Sequence, residues 1–202
     1  MESKDYLKDL SEIKDLMNKS SRFISLSGLS GILAGTYAII GAAIAYWLVS
    51  TSNRDYLILD GYIFRLCVLI LILVAFLSIV TGIYLTTKKA KKNGAKIWDS
   101  TSKRLIINFL IPLVVGGLYI LIILDQQKYG QAGALMLIFY GLALVNASKY
   151  SIGDIRYLGY IEIILGLIAA MFPGYGFWFW VIGFGLMHII YGTWMHLKYD
   201  VN

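Results

Sequence analysis

Six apolar stretches account for most of this chain: Phe23–Val49, Tyr62–Thr86, Leu105–Leu124, Gln131–Ala147, Ile155–Phe172 and Phe177–Leu197. A helix needs about 20 mostly apolar residues to cross a bilayer. The fourth stretch is at the short end of that range and the others meet it or nearly do. In hydrocarbon every backbone polar group must be satisfied internally, so stretches this long fold as helices. The 202 residues are 58% hydrophobic and 15% charged, against about 45–50% and ~25% in soluble domains. The spacing predicts an all-α, polytopic membrane protein with a six-helix domain over 23–199, a helix over 1–22 before it and a short tail, 200–202, after it.

Charge sets the expected topology. Lys4, Lys8, Lys14, Lys19 and Arg22 precede the first stretch, and Lys88, Lys89, Lys91, Lys92, Lys96, Lys103 and Arg104 join the second to the third. Lys149 and Arg156 join the fourth to the fifth, and Lys198 ends the last. Fifteen of the 18 basic residues therefore fall on one side, and Arg54, Arg65 and Lys128 on the other. Cytoplasmic loops carry the excess of Lys and Arg, which places both termini in the cytoplasm. The first stretch is too long for the apolar region of a cleavable signal and reads as a signal anchor. The net charge of +6 is mostly this topology signal. The basic residues flank spans without a groove-reading motif, so nucleic acid is not the expected partner. The run containing Lys88, Lys89, Lys91 and Lys92 also suits anionic lipid headgroups.

Before the first span, Tyr6, Leu10, Ile13 and Met17 fall on one helix face. The opposite face mixes Lys8 and Lys14 with Asp9, Glu12 and Asp15. Two occupants of the apolar face stay open: the membrane surface, or the bundle mouth and a cytoplasmic protein partner. At the other side, Tyr175, Phe177, Trp178, Phe179 and Trp180 follow the Pro173-Gly174 turn as an aromatic belt.

The chemistry-bearing residues are few. Gly159, Glu162 and Gly166 in the fifth stretch share the spacing of Gly185, His188 and Gly192 in the sixth. If these two helices are antiparallel neighbours, Gly159 meets Gly192, Gly166 meets Gly185, and Glu162 faces His188 at the same depth. Ionisable groups inside a membrane are costly and face a bundle interior or a wet cavity. The pair reads either as an interhelical hydrogen bond or as a proton-responsive site, since imidazole titrates near pH 6.5. Asn108, Asn146, Tyr160 and Tyr191 are candidates to extend this polar layer. Similar small-residue spacing in the second, fourth and sixth stretches suggests three antiparallel hairpins, 1–2, 3–4 and 5–6. Gly31 and Gly35 form a GxxxG face suited to close packing within the chain or to a homo-oligomer.

Arg156–Tyr199, with its Gly159, Gly166, Pro173-Gly174, Gly183 and Gly192 rhythm, resembles one hairpin of the HdeD-like bacterial membrane proteins. That resemblance implies a six-helix protein associated with acid resistance, and it carries no active site with it. The chain has no HExxH, GxSxG or Walker-type loop. Cys67 is the sole cysteine, and His188 and His196 lie about 12 Å apart along one helix, so no metal site or other cofactor is expected. The expected function is a non-enzymatic accessory, stress-response or sensor protein. A small proton-coupled transporter or channel is the alternative, and a membrane-embedded enzyme a distant third.

Overall fold

A computed structural model describes residues 26–51, 61–94 and 97–200. The amphipathic segment expected over 1–22 lies outside them. The described residues are all-α, with six helices: α1 Gly28–Thr51, α2 Tyr62–Lys92, α3 Ser100–Asp125, α4 Ala132–Ala147, α5 Ile155–Met171 and α6 Gly176–Tyr199. Short 3₁₀ turns extend α4 at both ends, over Tyr129–Gln131 and Ser148–Tyr150. Five helices are long and apolar enough to cross a membrane: α1, α2, α3, α4 with its flanking turns, and α6. Helix α5 has 17 residues, about 25 Å at 1.5 Å per residue. Helix α2 runs six residues past its apolar stretch, through Lys88–Lys92, because Lys and Ala continue a helix readily. Asp99 begins α3 by accepting the Ser102 N–H at 2.7 Å, which satisfies one of the four unpaired donors of a helix start.

Helices α1–α2 and α3–α4 pack as sequential antiparallel pairs, but α5 and α6 do not form the expected third hairpin. Instead α5 packs most extensively against α4, and α6 against α1. A Cβ added at Gly141 would lie 2.5 Å from the Gly159 carbonyl oxygen, and one at Gly159 would lie 2.8 Å from that of Gly141. One turn pair further, a Cβ at Gly166 would meet the Ala134 carbonyl at 2.8 Å. On the other pair, a Cβ at Gly35 would meet the Gly185 carbonyl at 2.5 Å, and one at Gly192 would meet that of Gly28 at 2.9 Å. So Gly159 and Gly166 do not face Gly192 and Gly185. Each glycine face instead touches backbone of a helix that offers small residues in matching register, Ala134 and Gly141 on α4 and Gly28 and Gly35 on α1. Gly31 also faces Gly192 within the chain, its Cβ position 3.1 Å from that Cα. Close backbone approach replaces the hydrophobic drive that lipid cannot supply.

The basic ends of three helices are tied together by Asp200. Its carboxylate accepts the Gly28 N–H at the start of α1 (3.0 Å) and His196 Nδ1 from α6 (2.8 Å), and it pairs with Lys89 from α2. Lys89 Nζ also donates to the Leu26 carbonyl at 2.9 Å. A carboxylate at a helix start also complements the helix dipole. Burial raises the Asp200 carboxyl, but the hydrogen bonds from Lys89 and His196 outweigh it and hold the group below the usual carboxylate range. Asp154, just before α5, accepts from Lys198 Nζ (2.7 Å) and Tyr199 Oη (2.6 Å), which hold its carboxyl low as well. Lys89 therefore belongs to this clasp. Lys88, Lys91 and Lys92 are exposed.

Candidate functional site

Glu162 and His188 do meet, although their helices do not share a glycine seam. The site lies where α4, α5 and α6 converge. Glu162 is fully buried, at 0% exposure, and His188 is 7% exposed. His188 Nδ1 stands 3.5 Å from Glu162 Oε1. Glycine at 183 makes the meeting possible: a Cβ there would fall 2.5 Å from Glu162 Oε2 and would also strike Leu137. Gly183 lies in a π-helical segment, Val181–Met187, set inside α6. Such wider turns are rare and recur at functional sites.

The hydrogen-bond partners of His188 fix its tautomer. Nδ1 is 3.0 Å from the Gly183 carbonyl oxygen, which can only accept, so Nδ1 carries the hydrogen and donates it. Nε2 then accepts from Tyr140 Oη at 2.8 Å. The imidazole is thus satisfied at both nitrogens in its neutral form. Among the described residues neither Glu162 carboxyl oxygen has a hydrogen-bond partner. A buried carboxylate without donors costs far more than a neutral carboxyl or an ion pair with imidazolium. A rotation of the His188 ring away from Gly183 would carry Nδ1–H toward Glu162 Oε1, now 3.5 Å away.

Aromatic rings wall the site. The His188 ring stacks on Phe184 (centroids 5.8 Å, planes 18° apart) and lies 5.3 Å from the Tyr140 ring. Phe184 continues to Trp180 at 5.1 Å, and Tyr140 to Phe109 at 6.1 Å. Tyr140 was not among the sequence candidates. It stands beside Gly141, the residue that brings α4 against α5.

The remaining candidates separate from the pair. Asn146 Nδ2 donates to the Asn108 backbone carbonyl at 2.9 Å and to its side-chain oxygen at 3.3 Å, and Asn108 Nδ2 donates to the Arg104 carbonyl at 2.8 Å. This is an α3–α4 tie near the basic end. Opposite Glu162 on α4 stands residue 138, eight residues before Asn146, so the tie lies about 12 Å from the pair along the helix. Tyr160 points outward, 47% exposed, against Tyr157. Tyr191 is one turn from His188, but its ring lies against Trp194 and its buried hydroxyl has no hydrogen-bond partner. Neither the asparagines nor Tyr160 extends the Glu162–His188 layer. Among the described residues no three His, Cys, Asp or Glu side chains converge as a metal site would require.

Comparison with protein families, with curated protein sequences and with solved structures finds no match.

Proposed function

We propose that this chain is a six-span membrane protein of the accessory or sensor kind, in which Glu162 and His188 form a proton-responsive lock. The observation that carries the reading is a fully buried carboxyl with no hydrogen-bond partner, 3.5 Å from an imidazole nitrogen already engaged elsewhere. Protonation of His188 would reverse its bond with Tyr140, Nε2–H now donating to the hydroxyl oxygen, and the imidazolium charge would draw Nδ1–H toward Glu162. Tyr140, Glu162 and His188 sit on three helices, so such a change alters how α4, α5 and α6 pack. The fully buried, ring-walled setting favours a sensor over a conduit for protons. The HdeD-like rhythm of Arg156–Tyr199 points to the same accessory, stress-response class.

Helix α5 serves as the sixth span in this proposal. It runs antiparallel to α4 along the Gly141–Gly159 and Ala134–Gly166 contacts. Its start is tied through Asp154 to Lys198 near the end of α6. At the far end the start of α6 returns to the start of α4, where a Cβ on Gly133 would meet the Gly176 carbonyl at 2.9 Å. So α5 traverses the bundle from one end to the other. Six crossings keep the basic segments on one side, the cytoplasm of a bacterial inner membrane, whereas five would divide them.

The test is proton flux in proteoliposomes with an internal pH dye and an imposed potential, for the parent and Glu162→Gln. The expected result is no flux in either, with a pH-dependent tryptophan emission change in the parent that the substitution removes. Flux that Glu162→Gln abolishes would overturn the sensor in favour of a proton-coupled transporter.

A further inference from the structure

A second buried polar group lies close to the Glu162–His188 site and takes no part in its bonding. The Tyr191 hydroxyl is enclosed and has no hydrogen-bond partner among the described residues. Leaving a buried hydroxyl unpaired is costly. Tyr191 follows His188 by three residues on α6, close to the same helix face. It lies on the side of His188 that leads to Lys198 and Tyr199, and its hydroxyl is within electrostatic reach of Asp154 and Tyr199. A hydroxyl both donates and accepts, so it can hand a proton on without ionising.

The helices part on this side of the site. Helix α5 approaches α6 at Gly176–Trp180 and at the π-helical segment, but not closely along the half that follows, His188–Tyr199. Long side chains span the difference, with Lys198 and Tyr199 reaching across to Asp154. Asp154 precedes Glu162 by eight residues, about 12 Å of helix, and buried Leu158 lies between them. A polar group at each end and the Tyr191 hydroxyl between them connect the aqueous end of the bundle to the pair.

In the other direction the neighbouring helices supply no such group. Residues 163–172 of α5, 132–139 of α4 and 181–187 of α6 are all apolar or glycine. Leu137 and Gly183 close on Glu162, and Phe184 and Trp180 stack outward from His188. Helix α1, packed along α6, has no charged residue, and its Tyr37 hydroxyl meets Thr81 of α2. His196 and Asp200 turn to the clasp with α1 and α2. Tyr140 is already engaged at His188 Nε2.

We propose that the Glu162–His188 site exchanges protons with the solution at the Asp154–Lys198 end alone, and that the Tyr191 hydroxyl hands them across. A proton arrives on Tyr191 Oη as the hydroxyl's own hydrogen passes to the pair, so Tyr191 is neutral before and after. The inference rests on the proton-responsive reading above and adds the side that is read, the cytoplasmic one in the topology proposed there. A buried pair reached from one end reports pH and does not conduct.

The experiment uses the full chain with a biotin-bearing tag after Asn202 and with Trp47, Trp98, Trp178 and Trp194 replaced by Phe. Trp180, stacked on Phe184 beside His188, is then the reporter. The protein is reconstituted at less than one copy per vesicle, and vesicles that expose the tag are separated on streptavidin from those that enclose it. The external solution is stepped from alkaline to acid while the lumen stays buffered. Trp180 emission should change at once in the tag-exposing vesicles, and in the tag-enclosing ones only after a proton ionophore equalises the two sides. In stopped-flow steps on the tag-exposing vesicles, Tyr191→Phe should slow the change several-fold and leave its midpoint in place, and Tyr160→Phe, at an exposed position, should alter neither. A response of the tag-enclosing vesicles before the ionophore overturns entry from one end, and an unchanged rate in Tyr191→Phe overturns the hand-over. Silence of both populations after the ionophore refutes the proton-responsive reading itself, and the inference with it.

Discussion

Gly192→Ala should destabilise the bundle by separating α1 from α6. A methyl at 192 would sit 2.5 Å from the Ile32 backbone nitrogen and 2.9 Å from both the Gly28 carbonyl oxygen and the Gly31 carbonyl carbon. An ordinary heavy-atom contact is ~3.5 Å, so the helices must part by close to 1 Å. All three obstructing atoms are backbone, and no side-chain rotation relieves them. Overpacking of this kind costs about 1–3 kcal/mol. The intrinsic gain of Ala over Gly in a helix returns ~0.5–1 kcal/mol. The net expectation is a loss of about 1–2 kcal/mol, read as an earlier midpoint in a reversible SDS unfolding titration in mixed micelles. Double-mutant cycles then test which helices are neighbours. Gly141→Ala and Gly159→Ala obstruct the same seam and should couple by at least ~0.5 kcal/mol, whereas Gly159→Ala and Gly192→Ala lie on different seams and should add. Coupling of Gly159 with Gly192, and additivity of Gly141 with Gly159, would refute the α4–α5 and α1–α6 pairing and restore the third hairpin.

Other substitutions give separate expectations. Gly82→Ala and Gly117→Ala, where a Cβ meets nothing within 4 Å, should be neutral or stabilise by up to ~1 kcal/mol in the same titration. Asp200→Asn weakens the clasp that joins α1, α2 and α6 and should cost about 2 kcal/mol, a typical worth of hydrogen bonds to a charged group. Asn146→Leu removes the α3–α4 tie and should cost about 1 kcal/mol. Asp154 and Asp200 are both held below the usual carboxylate range. Their contribution is therefore complete above the unfolded value near pH 4 and is lost as pH falls through the folded values. The unfolding midpoint should drop on acidification below that point, and it should drop less in the Asp154→Asn, Asp200→Asn double variant.

The helices and the meeting of Glu162 with His188 were legible in the sequence, and the helix pairing was not. Gly159 with Gly192 and Gly166 with Gly185 fit one antiparallel register. Gly141 with Gly159 and Ala134 with Gly166 fit another equally well, as do Gly28 with Gly192 and Gly35 with Gly185. Spacing identifies the small-residue face of a helix but not the helix it meets. The partner is decided by the larger neighbours: Ile138 and Ile163 flank the α4–α5 seam, and Ile39 and Ile189 the α1–α6 seam. Tyr140 was hidden for a related reason, since it joins His188 only once α4 replaces α6 as the neighbour of α5. Asp200, two residues before the last, reaches α1 and α2 through contacts 172 and 111 positions apart. No local pattern announces contacts of that kind.

The pairing of Glu162 with His188 is tested most directly by nitrogen-15 solid-state NMR of histidine-labelled protein in bilayers. The chain has only two histidines, and His196→Gln leaves His188 as the single reporter. At high pH its spectrum should show the neutral ring with hydrogen on Nδ1, as the Gly183 and Tyr140 contacts require. On acidification it should convert to imidazolium, and Glu162→Gln should displace the pH of that conversion. A His188 that carries its hydrogen on Nε2, or that titrates identically with Gln at 162, would contradict the proton-responsive pair.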